Sequence, residues 1–188
     1  MIFFMDNGAS SYRRFLDGDK EGMSEIVCSY TEGLIFYINS FVNNISISED
    51  LTEDVFAILI ADRPRFSGKS SFKTWLFSIA RNNAIDYIRH SANNSNISID
   101  EFHSLADDFS VESNYFRSER RVMLYQALSV LKNEYRQVLF LMYIEDFDTS
   151  ETAHIMKKSK RQIGNLIFRA KQALKSELER RGFEYEEL

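Results

Sequence analysis

The sequence predicts an all-α protein made of two small helical domains joined by an acidic, flexible linker. Three observations lead there. A single proline and seven glycines leave few chain breakers in 188 residues. Apolar residues recur at three- and four-residue steps, the period of one helix face, and strand-like alternation is scarce. Charge changes sign in blocks along the chain, and the most acidic Asn/Ser-rich block falls between two helical stretches. The chain is 44% hydrophobic and 14% aromatic, enough to build cores and too much for global disorder.

Residues 11–42 give the first helical reading, with Met23, Ile26, Val27, Tyr30, Leu34, Tyr37, Ile38 and Phe41 on one face. Cys28, the one cysteine, can form no intramolecular disulfide and reads as a small buried residue. The stretch NNISISE at 43–49 breaks the pattern. A second helix follows, with Leu51, Val55, Ile58 and Leu59 inward and Asp50, Glu53 and Asp54 outward. Ser48 is its expected N-cap, and the acidic first turn suits the positive end of a helix dipole. Pro64 and Gly68 mark a loop. A third helix is expected from about Ser71, burying Phe72, Trp75, Leu76, Ile79, Ala80 and Tyr87.

Residues 93–116 are rich in Asn and Ser, carry five acidic and no basic residues, and show no sustained periodicity. As a flexible coil they would span roughly 25–30 Å, and about 80 Å fully extended. They divide the chain into 1–92, a linker 93–116, and 117–188. Beyond them Val122, Tyr125, Leu128 and Leu131 form one stripe, and Val138, Leu139, Met142 and Tyr143 another.

The region 157–175 is unlike the rest. It holds seven basic and no acidic residues in a protein whose formal net charge is −5. Asp148-Thr-Ser-Glu151 and Ser159-Lys-Arg-Gln162 both fit the capping-box pattern, in which the first side chain accepts from the N3 backbone and the N3 side chain reaches back. Two helix starts eleven residues apart imply a short helix over about 149–156, a tight turn, and a longer helix from about 160, the spacing of a helix-turn-helix. Ile163, Leu166, Ile167, Ala170 and Leu174 would bury the second helix. Arg161, Gln162, Asn165, Arg169 and Gln172 would face outward. Arginine can contact guanine O6 and N7, and Gln or Asn adenine N6 and N7. Lys157, Lys158 and Lys160 at the turn suit flanking phosphates, as does the Ser159-capped helix start.

Other function classes fare poorly. There is no glycine-rich phosphate loop and no HExxH. His90, His103 and His154 are scattered, and one cysteine cannot build a structural zinc site. No metal or cofactor is expected, and no enzymatic activity. The N-terminus is too short in apolar residues for a signal peptide or membrane span, so a cytoplasmic chain without membrane insertion is expected.

Together the two halves resemble the extracytoplasmic-function (ECF) sigma factors of bacterial RNA polymerase. SEDLTEDVFAILI with RFSGKSSFKTWLFSIARNNAIDYIRH is similar to sigma region 2, and ALSVLKNEYRQVLFLMYIEDFDTSETAHIMKKSKRQIGNLIFRAKQAL to sigma region 4. The resemblance implies binding to core RNA polymerase through its β′ and β subunits, with Asp50, Glu53 and Asp54 at the β′ clamp helices. It implies melting and reading of the promoter −10 element by Arg65, Phe66, Lys69, Ser70, Lys73, Arg81 and Asn82. It implies reading of the −35 element by Lys157, Lys158, Ser159, Lys160, Arg161, Gln162, Asn165 and Arg169. The linker would follow the RNA-exit path. Family members are often held inactive by an anti-sigma protein. Three residues depart from the family pattern: Lys132 for proline, Lys157 for the glycine of the turn, and Thr152 for an apolar residue. Two other readings stand beside this one: a stand-alone helix-turn-helix regulator, and a helical adaptor that binds no nucleic acid.

Overall fold

A computed structural model describes residues 8–95 and 126–182, and among them every regular element is helical. The first module contains α1 (Ala9–Leu16), α2 (Lys20–Val42), α3 (Ile45–Ala61) and α4 (Phe72–Ser95). The second contains a helical segment at 126–129, α5 (Asn133–Leu139) running into one π-helical turn (Phe140–Ile144), α6 (Thr149–Met156) and α7 (Lys160–Arg180). The segment 93–116 read as a linker lies outside the described residues, apart from 93–95, which continue α4.

The single amphipathic stretch expected over 11–42 is two helices. Gly18 takes φ 104° between them, and Asp19 caps α2 by accepting from the Glu21 amide. The two helices cross closely at Gly22, where a Cβ would sit 2.2 Å from the Ser11 carbonyl oxygen. On α2 the inward row is Met23, Ile26 and then half-buried Tyr30. Val27 and Cys28 are exposed, correcting the inward placement of both. Cys28 lies two residues past Ile26, about 200° around the helix, and α1 covers only one side of this half. From Leu34 to Val42, by contrast, α2 is buried all round, because α3, α4 and α5 pack about it.

The corner from α2 to α3 is made by two asparagines. Asn43 ends α2 in the left-handed conformation (φ 52°), and Asn44 caps α3 by accepting from the Ile47 amide at 3.0 Å. Helix α3 therefore starts at Ile45, four residues earlier than a Ser48 cap would give. Ser48 is instead buried within the helix, its hydroxyl donating to the Asn44 carbonyl. The side-chain amide of Asn83 on α4 donates to the Leu51 carbonyl, fixing α4 against α3.

Helix α1 and the start of α4 share an aromatic cluster of Tyr12, Phe15, Phe66, Phe72 and Trp75, with ring centroids 5.3–6.2 Å apart. The Tyr12 hydroxyl donates to the Pro64 carbonyl at 2.8 Å, which pins the 62–71 loop. Trp75 packs against the core, as its place on the apolar stripe predicts.

In the second module α6 and α7 both start with complete capping boxes, at Asp148/Glu151 and Ser159/Gln162, as their sequences predict. Ile163 and Ala170 are buried, and Leu166, Ile167 and Leu174 pack on the core. Tyr143 is 53% exposed rather than inward. The π-turn inserts an extra residue into the helix and rotates everything after it off the three-and-four stripe. The Lys171 ammonium lies 4.9 Å from the Tyr143 ring centre.

The two modules pack against each other. Phe147 meets Phe77 edge-on at 5.1 Å, Phe140 stacks on Tyr37 at 6.3 Å, and one continuous apolar core includes residues of both.

Candidate nucleic-acid interface

The helix-turn-helix is built locally. The Asp148 carboxylate accepts from the amides of Ser150 and Glu151, and Glu151 Oε2 accepts from the Asp148 amide. Buried Ala153 lets α6 and α7 approach. At the turn Lys157 adopts the left-handed conformation (φ 54°, ψ 45°), the geometry for which glycine is the low-cost residue. Its departure from the usual glycine therefore does not alter the turn. It carries about 1–2 kcal/mol of backbone strain. The Ser159 hydroxyl then accepts from the Gln162 amide, while Gln162 Oε1 accepts from the Ser159 amide at 2.7 Å.

From this start α7 presents Lys160, Arg161, Gln162, Asn165 and Arg169 to solvent. Arg161, Asn165 and Arg169 recur every four residues, and the row from the first to the last is about 12 Å long. Gln162 has two possible employments, since the oxygen that closes the cap is the one an adenine contact would need. Gly164 faces open space, so nothing in the free chain requires glycine there. Lys158 is only part-exposed and pairs with Glu134 at 2.7 Å.

The other two departures are also accommodated. Lys132 precedes α5 with φ −56°, a value proline could take. Thr152 is fully buried, and its Oγ1 has no hydrogen-bond partner.

In the first module Asp50, Glu53 and Asp54 are exposed on one face of α3. That face continues through exposed Ala57 to Ile60, which is 49% exposed. The apolar end escaped sequence reasoning because Ile60 looks like one more core residue. Arg65 and Lys69 are exposed on the 62–71 loop, Phe66 is half-buried against Phe72 and Trp75, and Ser70 is half-buried.

The polar face of α4 is already engaged by the second module. Lys73 donates to the Glu145 carbonyl at 2.7 Å, pairs with its carboxylate at 2.8 Å, and lies 4.8 Å from the Phe147 ring centre. Asn82 is exposed, and its Oδ1 accepts from Lys157 at 2.9 Å. Arg81 is half-buried. Sequence reasoning also missed Arg136. It is buried, with burial holding its guanidinium down to about 10, and it donates to Asn43 Oδ1 and the Ser129 carbonyl, and to Asn133. Among the described residues no group of three His, Cys, Asp or Glu side chains could hold a metal ion, and no helix is long and apolar enough to cross a membrane.

Comparison with known families matches Sigma-70 region 2 to residues 27–93 and Sigma-70 region 4 to residues 121–174. The chain is 31% identical over 154 residues to the ECF RNA polymerase sigma factor SigM of Bacillus subtilis, covering 82% of this chain and 93% of that one. It is 27% identical over 171 residues to the RNA polymerase sigma-H factor of Pseudomonas aeruginosa, covering 86% and 89%. Among solved structures, CnrH in complex with the cytosolic domain of CnrY matches with a TM-score of 0.62 at 20% identity, covering 92% of this chain and 95% of that one. The sigma factor RpoE of Bartonella quintana, in complex with the anti-sigma factor NepR, matches with a TM-score of 0.64 at 21% identity, covering 83% and 96%.

The fold and its helix-turn-helix thus define a two-module transcription-initiation protein of the sigma-70 type. Within that class, the chain belongs to the ECF RNA polymerase sigma factors.

Proposed function

We propose that this sigma factor divides its work among three surfaces. The exposed acidic face of α3, with Asp50, Glu53 and Asp54, docks on a basic surface of core polymerase, and Ile60 extends the contact with apolar area. Opposite charge across such an interface speeds encounter more than it adds affinity. The 62–71 loop and the polar face of α4 take the melted −10 strand through Arg65, Phe66, Lys69, Ser70, Lys73, Arg81 and Asn82. Aromatic and basic side chains are the groups that hold a single strand, and Asn82 offers a base-reading amide. Helix α7 enters the −35 major groove. Arg161, Gln162, Asn165 and Arg169 read bases there, while Lys157, Lys158, Lys160 and the Ser159-capped helix start hold phosphates.

In this reading residues 1–92 and 117–188 are the two working domains, 93–116 is the linker, and the protein acts in the cytoplasm without catalysis of its own. The complexes of CnrH with the cytosolic domain of CnrY and of RpoE with the anti-sigma factor NepR favour a similar protein partner for this chain. The observation that carries the reading is the exposed row Arg161–Asn165–Arg169 on a helix whose start and turn are both locally fixed.

The test compares promoter binding by the chain alone and with core polymerase, read by footprinting and by permanganate reactivity of unpaired thymines. Protection at −35 and reactivity at −10 only with core polymerase are expected. Tight, sequence-specific duplex binding without polymerase would support the stand-alone regulator instead.

A further inference from the structure

We infer that the cavity lined by Arg136 is a binding site for a small monocarboxylate, an anion with one charged head and a short apolar tail. Arg136 is 7% exposed, and its guanidinium stays charged at neutral pH. Nη1 donates to Asn43 Oδ1 at 2.8 Å and to the Ser129 carbonyl at 2.9 Å, and Nη2 donates to Asn133 Oδ1. All three acceptors are neutral. Among the described residues no carboxylate pairs with Arg136, and its Nε–H has no hydrogen-bond partner. A buried charge without a counter-charge is costly, and so is a buried donor without an acceptor. Both costs fall on one group, and a single anion would relieve both.

The space for that anion is in the same wall. Helix α2 contributes Phe36, Asn39 and Ser40, and the second module contributes Leu128 and Phe140 with Arg136. About 30 Å³ is open there to the centre of a water-sized molecule, and the cavity is partly open to solvent. That room exceeds the need of one water and falls well short of a nucleotide. The character of the wall selects further. Phe36, Leu128 and Phe140 are apolar, so a multiply charged, strongly hydrated phosphate would lose its water against them. A carboxylate brings one charge and a hydrocarbon end that those three side chains can cover. Asn39 supplies a second donor. It is 7% exposed, its Oδ1 accepts from the Ser48 hydroxyl at 3.4 Å, and its amide N–H groups remain for a carboxylate oxygen. Acetate and propionate combine this size, charge and polarity.

Nuclear magnetic resonance on the full chain tests the site. Each arginine Nε–H gives its own signal, and the one missing in Arg136→Lys belongs to Arg136. Sodium propionate is titrated in place of sodium chloride at constant ionic strength. The Arg136 signal should shift and saturate, with a dissociation constant on the order of 1 mM for a ligand of so few atoms, and acetate should compete. Nuclear Overhauser contacts should join the propionate methyl group to the rings of Phe36 and Phe140. Asn39→Leu leaves Arg136 in place and removes one donor, so it should weaken propionate binding about tenfold. If Arg136→Lys does not fold, the ring contacts and Asn39→Leu carry the test unaided. An Arg136 signal that ignores propionate would overturn the inference and leave the cavity to water. An equal response to chloride, or a stronger one to phosphate, would overturn it by making the site one for a different anion. Propionate binding unchanged in Asn39→Leu, with no contact to either ring, would place the ligand elsewhere and overturn it too.

Discussion

Lys157 and Asn82 stand 75 residues apart in the chain, and the ammonium of the one donates to the side-chain carbonyl of the other at 2.9 Å. Each lies in a different module, and each is placed by the proposed function against a different promoter element. Lys157 also sits in a left-handed backbone that it fits poorly. Its position therefore combines a strained turn, a contact between modules and a positive charge beside the −35 helix.

Lys157→Gly separates these roles. Glycine relieves the left-handed strain, so the variant should unfold about 2–4 °C higher, the shift for roughly 1 kcal/mol in a chain of this size. Duplex affinity in the holoenzyme should fall together with the salt dependence, whose slope loses about one unit with one phosphate contact. A thermal melt and a salt titration check the two halves of the expectation.

Thr152 is buried with an unpaired hydroxyl, so Thr152→Val should stabilise the chain by about 1–2 kcal/mol in a denaturant titration. The residue packs in α6 and touches no proposed DNA contact, so transcription should not change. An unaltered or lower unfolding midpoint would mean that the hydroxyl has a partner.

Reversing charge at Asp50 and Glu53 together should slow association with core polymerase by about tenfold, with an effect that shrinks as salt rises. Both side chains are exposed, so stability should stay within about 0.5 kcal/mol. Competition against a labelled sigma factor for core polymerase measures the first. Undiminished competition would remove this face of α3 from the dock.

Arg161→Ala should cost about 1–3 kcal/mol at one base pair of the −35 element and leave binding to core polymerase intact. Transcription from a set of single-base −35 variants locates that base pair. A uniform loss at every position would make Arg161 a phosphate contact instead.

What the sequence made legible was what is local. Both capping boxes lie within four residues of chain, and both are present with their reciprocal hydrogen bonds. The basic row on α7 followed from the helical period alone. The errors came where neighbours decide. Ser48 looked like a cap because Asn43-Asn44 was taken only as a break, although asparagine is a good residue both for a left-handed helix end and for an N-cap. Tyr143 looked inward because a π-turn leaves no mark in the apolar pattern. Val27 and Cys28 turned outward because no described residue covers that side of α2. The seating of Glu145 against Gly33 and of Glu151 on Ser71 and Thr74 joins residues far apart in the chain, and no periodicity encodes such pairs.

The most direct test of the account is run-off transcription with purified core polymerase, with and without this protein, on promoters from its own genome. The account predicts discrete transcripts that appear only with the protein and vanish when the −10 or −35 element is scrambled. Core polymerase that gains no promoter from the protein, while the protein alone binds specific duplexes tightly, would contradict it.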